Sequence, residues 1–92
     1  LRVDAGAEAA LVQAEKSLLA SGISAVAGEF LAGDVVTVYN ADGGHILGKG
    51  RVKSGHSELQ ALLATAKPQG VVIHRDDWIT VTPELELFLH EI

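Results

Sequence analysis

Ninety-two residues, a net charge of −5 and a 48% hydrophobic fraction describe one small domain. The absence of cysteine excludes disulfides and thiolate metal sites, and no apolar run approaches the roughly 20 residues needed to span a bilayer. The acidic balance weighs against a nucleic-acid binder, whose phosphate contacts need clustered Lys and Arg.

A chain of this size buries roughly 60–65% of its unfolded surface, enough for one modest core. Val, Leu and Ile must supply that core, because the chain has one Trp, one Tyr and two Phe. The lack of Cys and of a signal-like apolar stretch fits a cytoplasmic protein. No Met is present and the chain starts at Leu1, so the expectation is a piece of a longer protein with an N-terminal partner domain.

Leu1 to Val3 read as a short strand. Asp4 fits an N-cap, with an Ala-rich helix to about Glu15 whose small face carries Ala7, Leu11 and Ala14. Ser21-Gly22 punctuate the chain, and Ile23 to Ala27 read as a strand ended by Gly28. Ala32-Gly33-Asp34 is a turn. Val35 to Tyr39, β-branched or aromatic throughout, is the clearest strand.

Asn40-Ala41-Asp42-Gly43-Gly44 is a hairpin turn, Asp-Gly supplying positive φ angles. His45 to Lys53 returns as the partner strand, and Gly48 and Gly50 within it suggest bulges or close backbone contact. Ser57 caps a second helix, Glu58 to about Ala66, with Leu59, Leu62, Leu63 and Ala66 on its apolar face. Pro68 and Gly70 stop it. Val71 to His74 and Trp78 to Val81 are two further strands around Arg75-Asp76-Asp77.

The tail has two readings. As a strand, Leu85, Leu87 and Leu89 alternate with Glu84 and Glu86. As a helix, Leu85, Phe88, Leu89 and Ile92 share a face, with Thr82 as N-cap and Pro83 as first helical residue. The helix is the preferred reading. The order of elements suits a small, mainly β (α+β) pseudo-barrel with helices plugging its ends.

Two spacings imitate catalytic motifs. Gly43 and Gly48-Lys49 match the start of a P-loop, but Gly50 stands where a magnesium-binding hydroxyl is needed, and the segment lies in a hairpin. His74-Arg75-Asp76 imitates a kinase catalytic loop, yet Val81 replaces the required Asn. The simpler reading is a polar turn in which Asp76 or Asp77 accepts backbone N–H bonds, with Arg75 a candidate interdomain contact. His45, His56, His74 and His90 show no metal-pair spacing. No catalytic residue is assigned, and no Ser-His-Asp set or paired carboxylates can be argued.

Lys49, Arg51 and Lys53 have period-two spacing, which puts three cations on one strand face. Lys16, at the end of the first helix, is a candidate to join them. These four residues are the candidates for RNA phosphate contacts. A solvated or edge-protecting stripe and an acidic interdomain contact are the competing roles.

Leu1-Arg2-Val3-Asp4-Ala5-Gly6-Ala7, Lys16-Ser17-Leu18-Leu19, Gly28-Glu29-Phe30 and Gly33-Asp34-Val35, in that order, resemble a PUA domain. With His74-Arg75-Asp76-Asp77 they resemble more narrowly the PUA domain at the C-terminal end of bacterial glutamate 5-kinase. The chain departs from that pattern at Leu19-Ala20-Ser21-Gly22 and at Lys53-Ser54.

The resemblance implies a PUA-like mixed-sheet pseudo-barrel over residues 1–82, with two short helices. A C-terminal extension over 83–92 would pack on it or on a partner through Leu85, Phe88 and Leu89. It also implies a non-catalytic accessory role beside an amino-acid-kinase domain in the same chain. ATP and Mg²⁺ would be held by that domain and none by this one, and homo-oligomers are possible partners. The alternative is an RNA-binding module of an RNA-modification enzyme.

Overall fold

The computed structural model describes residues 1–81. The expected C-terminal helix, and the contact candidates Leu85, Phe88 and Leu89, lie outside the described residues.

Strand β1 (Arg2–Val3) leads directly into helix α1 (Ala5–Val12). Asp4 caps the helix as expected, its carboxylate accepting the Ala7 N–H at 2.8 Å. The helix ends earlier than the sequence suggests. Glu15 takes a left-handed conformation, φ 51°, and the following Lys16 N–H donates back to the Ala10 carbonyl at 2.9 Å. A left-handed residue cannot continue a right-handed helix, so the chain reverses there.

The reversal creates an element that the sequence did not announce, β2 (Leu18–Leu19). A single 3₁₀ turn, Ala20–Gly22, then joins it to β3 (Ile23–Ala25). Strands β4 (Val35–Tyr39) and β5 (Ile46–Arg51) form the central hairpin.

The hairpin turn differs from the expected one. Gly43, with φ 76°, has the turn's positive φ, and Asp42 does not share it. Side chains add to the backbone bonds from Asn40 N–H to the His45 carbonyl and from Gly43 N–H to the Asn40 carbonyl, both 3.0 Å: Asp42 Oδ1 accepts the Gly44 N–H at 2.7 Å, and Asn40 Oδ1 accepts the His45 N–H at 3.2 Å. A bulge between Val38 and Tyr39 absorbs the longer connection.

Helix α2 (His56–Leu63) starts ahead of Ser57, with Gly55 at its N-cap and no side-chain cap bond. The Phe30 segment does the capping. The Phe30 carbonyl accepts the His56 N–H at 3.0 Å, and the two rings meet edge to face at 5.9 Å. Imidazole Nδ1 of His56 lies 3.1 Å from the Phe30 nitrogen and 2.9 Å from its carbonyl oxygen, so either tautomer makes a bond.

Strand β6 (Val71–Ile73), a 3₁₀ turn over Arg75–Asp77 and β7 (Trp78–Thr80) complete the described chain.

The larger sheet has the order β3-β1-β4-β5-β7, with β1 parallel to β4 and the other pairs antiparallel; β2 and β6 form a second, two-stranded sheet. Val3, Leu11, Leu18, Val38, Val52, Leu59 and Ile73 meet between the sheets and helices with almost no exposed surface. Each such side chain contributes roughly 1.5–3 kcal/mol of burial. This is the mainly β (α+β) pseudo-barrel that the order of elements suits, with the mixed sheet that the resemblance implies.

Gly48 and Gly50 explain how β7 reaches β5 so closely. A Cβ at Gly48 would overlap the Ile79 carbonyl and lie 2.6 Å from the Trp78 ring. One at Gly50 would lie 2.6 Å from an Ile73 methyl group. The indole of Trp78 therefore lies across glycine backbone, its N–H donating to Thr80 Oγ1 at 2.9 Å.

Candidate functional site

Register decides which of the candidate cations share a surface. Lys49 stands opposite Thr37 on β4 and Ile79 on β7, and Arg51 stands opposite Val35. Paired residues in a sheet point to the same side, so Val35, Thr37, Lys49, Arg51 and Ile79 make one outward patch. Both cations are exposed, as are Val35 at 60% and Ile79 at 65%.

Lys53 lies two residues beyond Arg51, past the end of β5, and is exposed like Lys49 and Arg51. The strand ends at Arg51, buried Val52 turns inward, and the Lys53 N–H donates to the Val72 carbonyl at 2.9 Å, at the junction with the second sheet.

Lys16 is on a different surface. It lines a depression of about 590 Å³ with Ala7, Ser17, Leu19, Gly22 and Val71, to which β5 contributes nothing. Small residues shape this hollow. Gly22 approaches α1 so closely that an added Cβ would lie 2.5 Å from the Ala7 methyl. Leu19 and Val71 are a cross-strand pair of β2 and β6, both partly open to solvent. The sequence offered no signal for the pair, because two-residue strands show no alternation.

Arg75 opens the turn that imitates a kinase motif. Its backbone N–H donates to Ser17 Oγ at 3.0 Å, tying the turn to the start of β2. His74, not an aspartate, accepts within the turn: its Nδ1 takes the Asp76 N–H at 3.1 Å. The imidazole reaches that amide because His74 is the extended residue just before the 3₁₀ turn. Among the described residues, neither Asp76 nor Asp77 accepts a backbone N–H in this turn, the role the sequence suggested for them. The Arg75 guanidinium lies 4.0 Å from the Asp76 carboxylate with both side chains largely exposed, a pair worth little.

A larger cleft of about 820 Å³ runs beside β3, β1 and β4, with Arg2, Glu29, Phe30, Asp34 and Tyr39 in its lining. The Leu1 nitrogen sits at this end and donates to the Thr37 carbonyl at 3.0 Å. Asp34 Oδ2 is committed to the Leu31 N–H at 2.9 Å.

Among the described residues no three His, Cys, Asp or Glu side chains gather as a metal site, and no polar or charged residue is buried. No helix there is long and apolar enough to cross a membrane.

Comparison with known proteins matches this architecture. The PUA domain family model matches residues 1–66. The chain belongs to the PUA domain family.

A PUA domain from Aeropyrum pernix superposes with a TM-score of 0.74 at 28% identity, covering 94% of this chain and 45% of that one. A PUA domain protein from Thermoplasma acidophilum does so at 0.68 and 21%, covering 95% of this chain and 52% of that one. In sequence, this PUA domain is 58% identical over 83 residues to glutamate 5-kinase of Streptococcus sanguinis, covering 90% of this chain and 22% of the relative. Glutamate 5-kinase of Streptococcus pneumoniae is 52% identical over 89 residues, covering 97% of this chain and 24% of the relative. The chain thus spans less than a quarter of the length of the curated relatives it matches, in their C-terminal region.

Proposed function

We propose that this PUA domain is the accessory, non-catalytic C-terminal part of a glutamate 5-kinase. The supporting observation is the identity of 58% over 83 residues to such an enzyme. In this reading the whole protein transfers the γ-phosphate of ATP to the side-chain carboxylate of glutamate. An amino-acid-kinase domain N-terminal to Leu1 holds ATP, Mg²⁺ and glutamate, and acts in the cytoplasm at the opening of proline biosynthesis. The PUA domain supplies surfaces, among them Arg75 and the Lys49–Arg51 patch, through which regulation or assembly is tuned.

Deleting residues 1–92 from the whole protein tests the accessory role. Glutamate-dependent ATP turnover should survive, with an altered response to proline or an altered oligomer size. Loss of all turnover from a truncated enzyme that remains folded would place the domain inside the catalytic machinery and overturn the reading.

RNA binding is the second reading, favoured by the adjacent, exposed Lys49 and Arg51 and opposed by the net charge of −5. Salt-sensitive binding lost in Lys49→Ala/Arg51→Ala would support it.

A further inference from the structure

The larger sheet separates charge more sharply than the chain as a whole. Its five strands hold Arg2, Lys49 and Arg51 and no Asp or Glu, in a chain with 12 acidic and 7 basic residues. All three cations are exposed, and register puts them on the outward side. Arg2 stands beside Tyr39, which alternates along β4 with Thr37, opposite Lys49, and with Val35, opposite Arg51. On the reading of the domain as an accessory part of a glutamate 5-kinase, on which this inference rests, we propose that the outward face docks on an acidic, apolar-centred protein surface of the amino-acid-kinase part.

Charge and apolarity together select the partner. Val35 and Ile79, both largely exposed, stand among the cations of β5. A phosphate backbone would pair with Lys49 and Arg51 and leave those two apolar side chains in water. A second copy of this face would bring like charges together, which disfavours the pairing. A protein surface with carboxylates around an apolar centre satisfies both features, burying Val35 and Ile79 inside a rim of ion pairs. Asp34, the acid just before β4, does not occupy the cations: its Oδ2 accepts the Leu31 N–H at 2.9 Å.

Connectivity brings the same partner to the same face. In the accessory reading the kinase part joins at Leu1. The Leu1 nitrogen donates to the Thr37 carbonyl at 3.0 Å, and the Leu1 carbonyl accepts the Tyr39 N–H at 2.7 Å, as β1 runs parallel to β4. A chain entering β1 therefore comes along β4 from its Val35 end, the end opposite Arg51. That tether holds the kinase part beside the patch and raises its effective concentration there.

Carbodiimide coupling of lysine amines to carboxylates in the whole protein tests the docking, because it adds no spacer and joins groups already in contact. Lys49 should be joined to an Asp or Glu that precedes Leu1, read by mass spectrometry of the peptides, and high salt should suppress the link. In Arg51→Lys, position 51 should form a link of its own. A link from position 49 or 51 to an acid within residues 1–92, of the same or another copy, overturns the proposal. Absence of any link from both positions, the result expected of an open face or one that holds nucleic acid, also overturns it. Glutamate-dependent ATP turnover of the same preparation separates the two levels. Turnover without the link removes the docking and leaves the parentage standing, whereas no turnover removes the parentage, whichever links form.

Discussion

Gly22 and Ala7 touch so closely that no side chain fits between them: a Cβ on Gly22 would sit 2.5 Å from the Ala7 Cβ. The contact holds α1 against the 3₁₀ turn after β2, and the Gly22 carbonyl accepts the Asp4 N–H at 2.9 Å in the same place. Gly22→Ala should force the helix outward and cost about 1–3 kcal/mol. A urea titration should show a lowered midpoint. An unchanged midpoint would mean that the contact is not tight.

Asp4 holds the other end of that arrangement through its bond to the Ala7 N–H. Asp4→Ala should cost about 1 kcal/mol, and Asp4→Asn should cost much less, since both Asp and Asn cap well. Thermal unfolding of the two variants side by side separates capping from loss of charge.

Leu59 is fully buried and links α2 to the shared core. Leu59→Ala should destabilise the domain by about 2–5 kcal/mol, depending on how far the site collapses. Leu62→Ala, at a half-buried position, should cost less. Equal losses at both positions would contradict the placement of Leu59 at the centre of the core.

Gly48→Ala should separate β7 from β5, because the added methyl meets both the Ile79 carbonyl and the Trp78 ring. The chain's one tryptophan reports the change by its own fluorescence. Lys49→Ala, one residue on and facing solvent, should leave stability within about 0.5 kcal/mol and the emission unaltered.

What was legible in the sequence had a local cause. Val35 to Tyr39 has β-forming residues at every position, and it is a strand with those bounds. Asp4 can act only on the turn that follows it, and it caps α1. Gly48 and Gly50 suggested bulges or close backbone contact, and the contacts with Trp78 and Ile73 show the second.

What was not legible depended on distant partners. Leu18 and Leu19 become a strand only because β6 arrives beside them. Helix α2 starts ahead of Ser57 because Phe30, remote in sequence, accepts the His56 N–H. Strand β5 stops at Arg51, short of Lys53, and spacing along the chain cannot report where a ladder stops. The turn at Arg75 was read correctly as polar, but its acceptor is His74, a choice set by the 3₁₀ geometry.

The most direct measurement is ADP release by the whole protein that contains this domain, with ATP and Mg²⁺ present and glutamate added or omitted. Release that requires glutamate is the result expected of a glutamate 5-kinase carrying this domain as an accessory part. Absence of glutamate-dependent release would contradict that parentage and leave the Lys49–Arg51 surface as the lead to function.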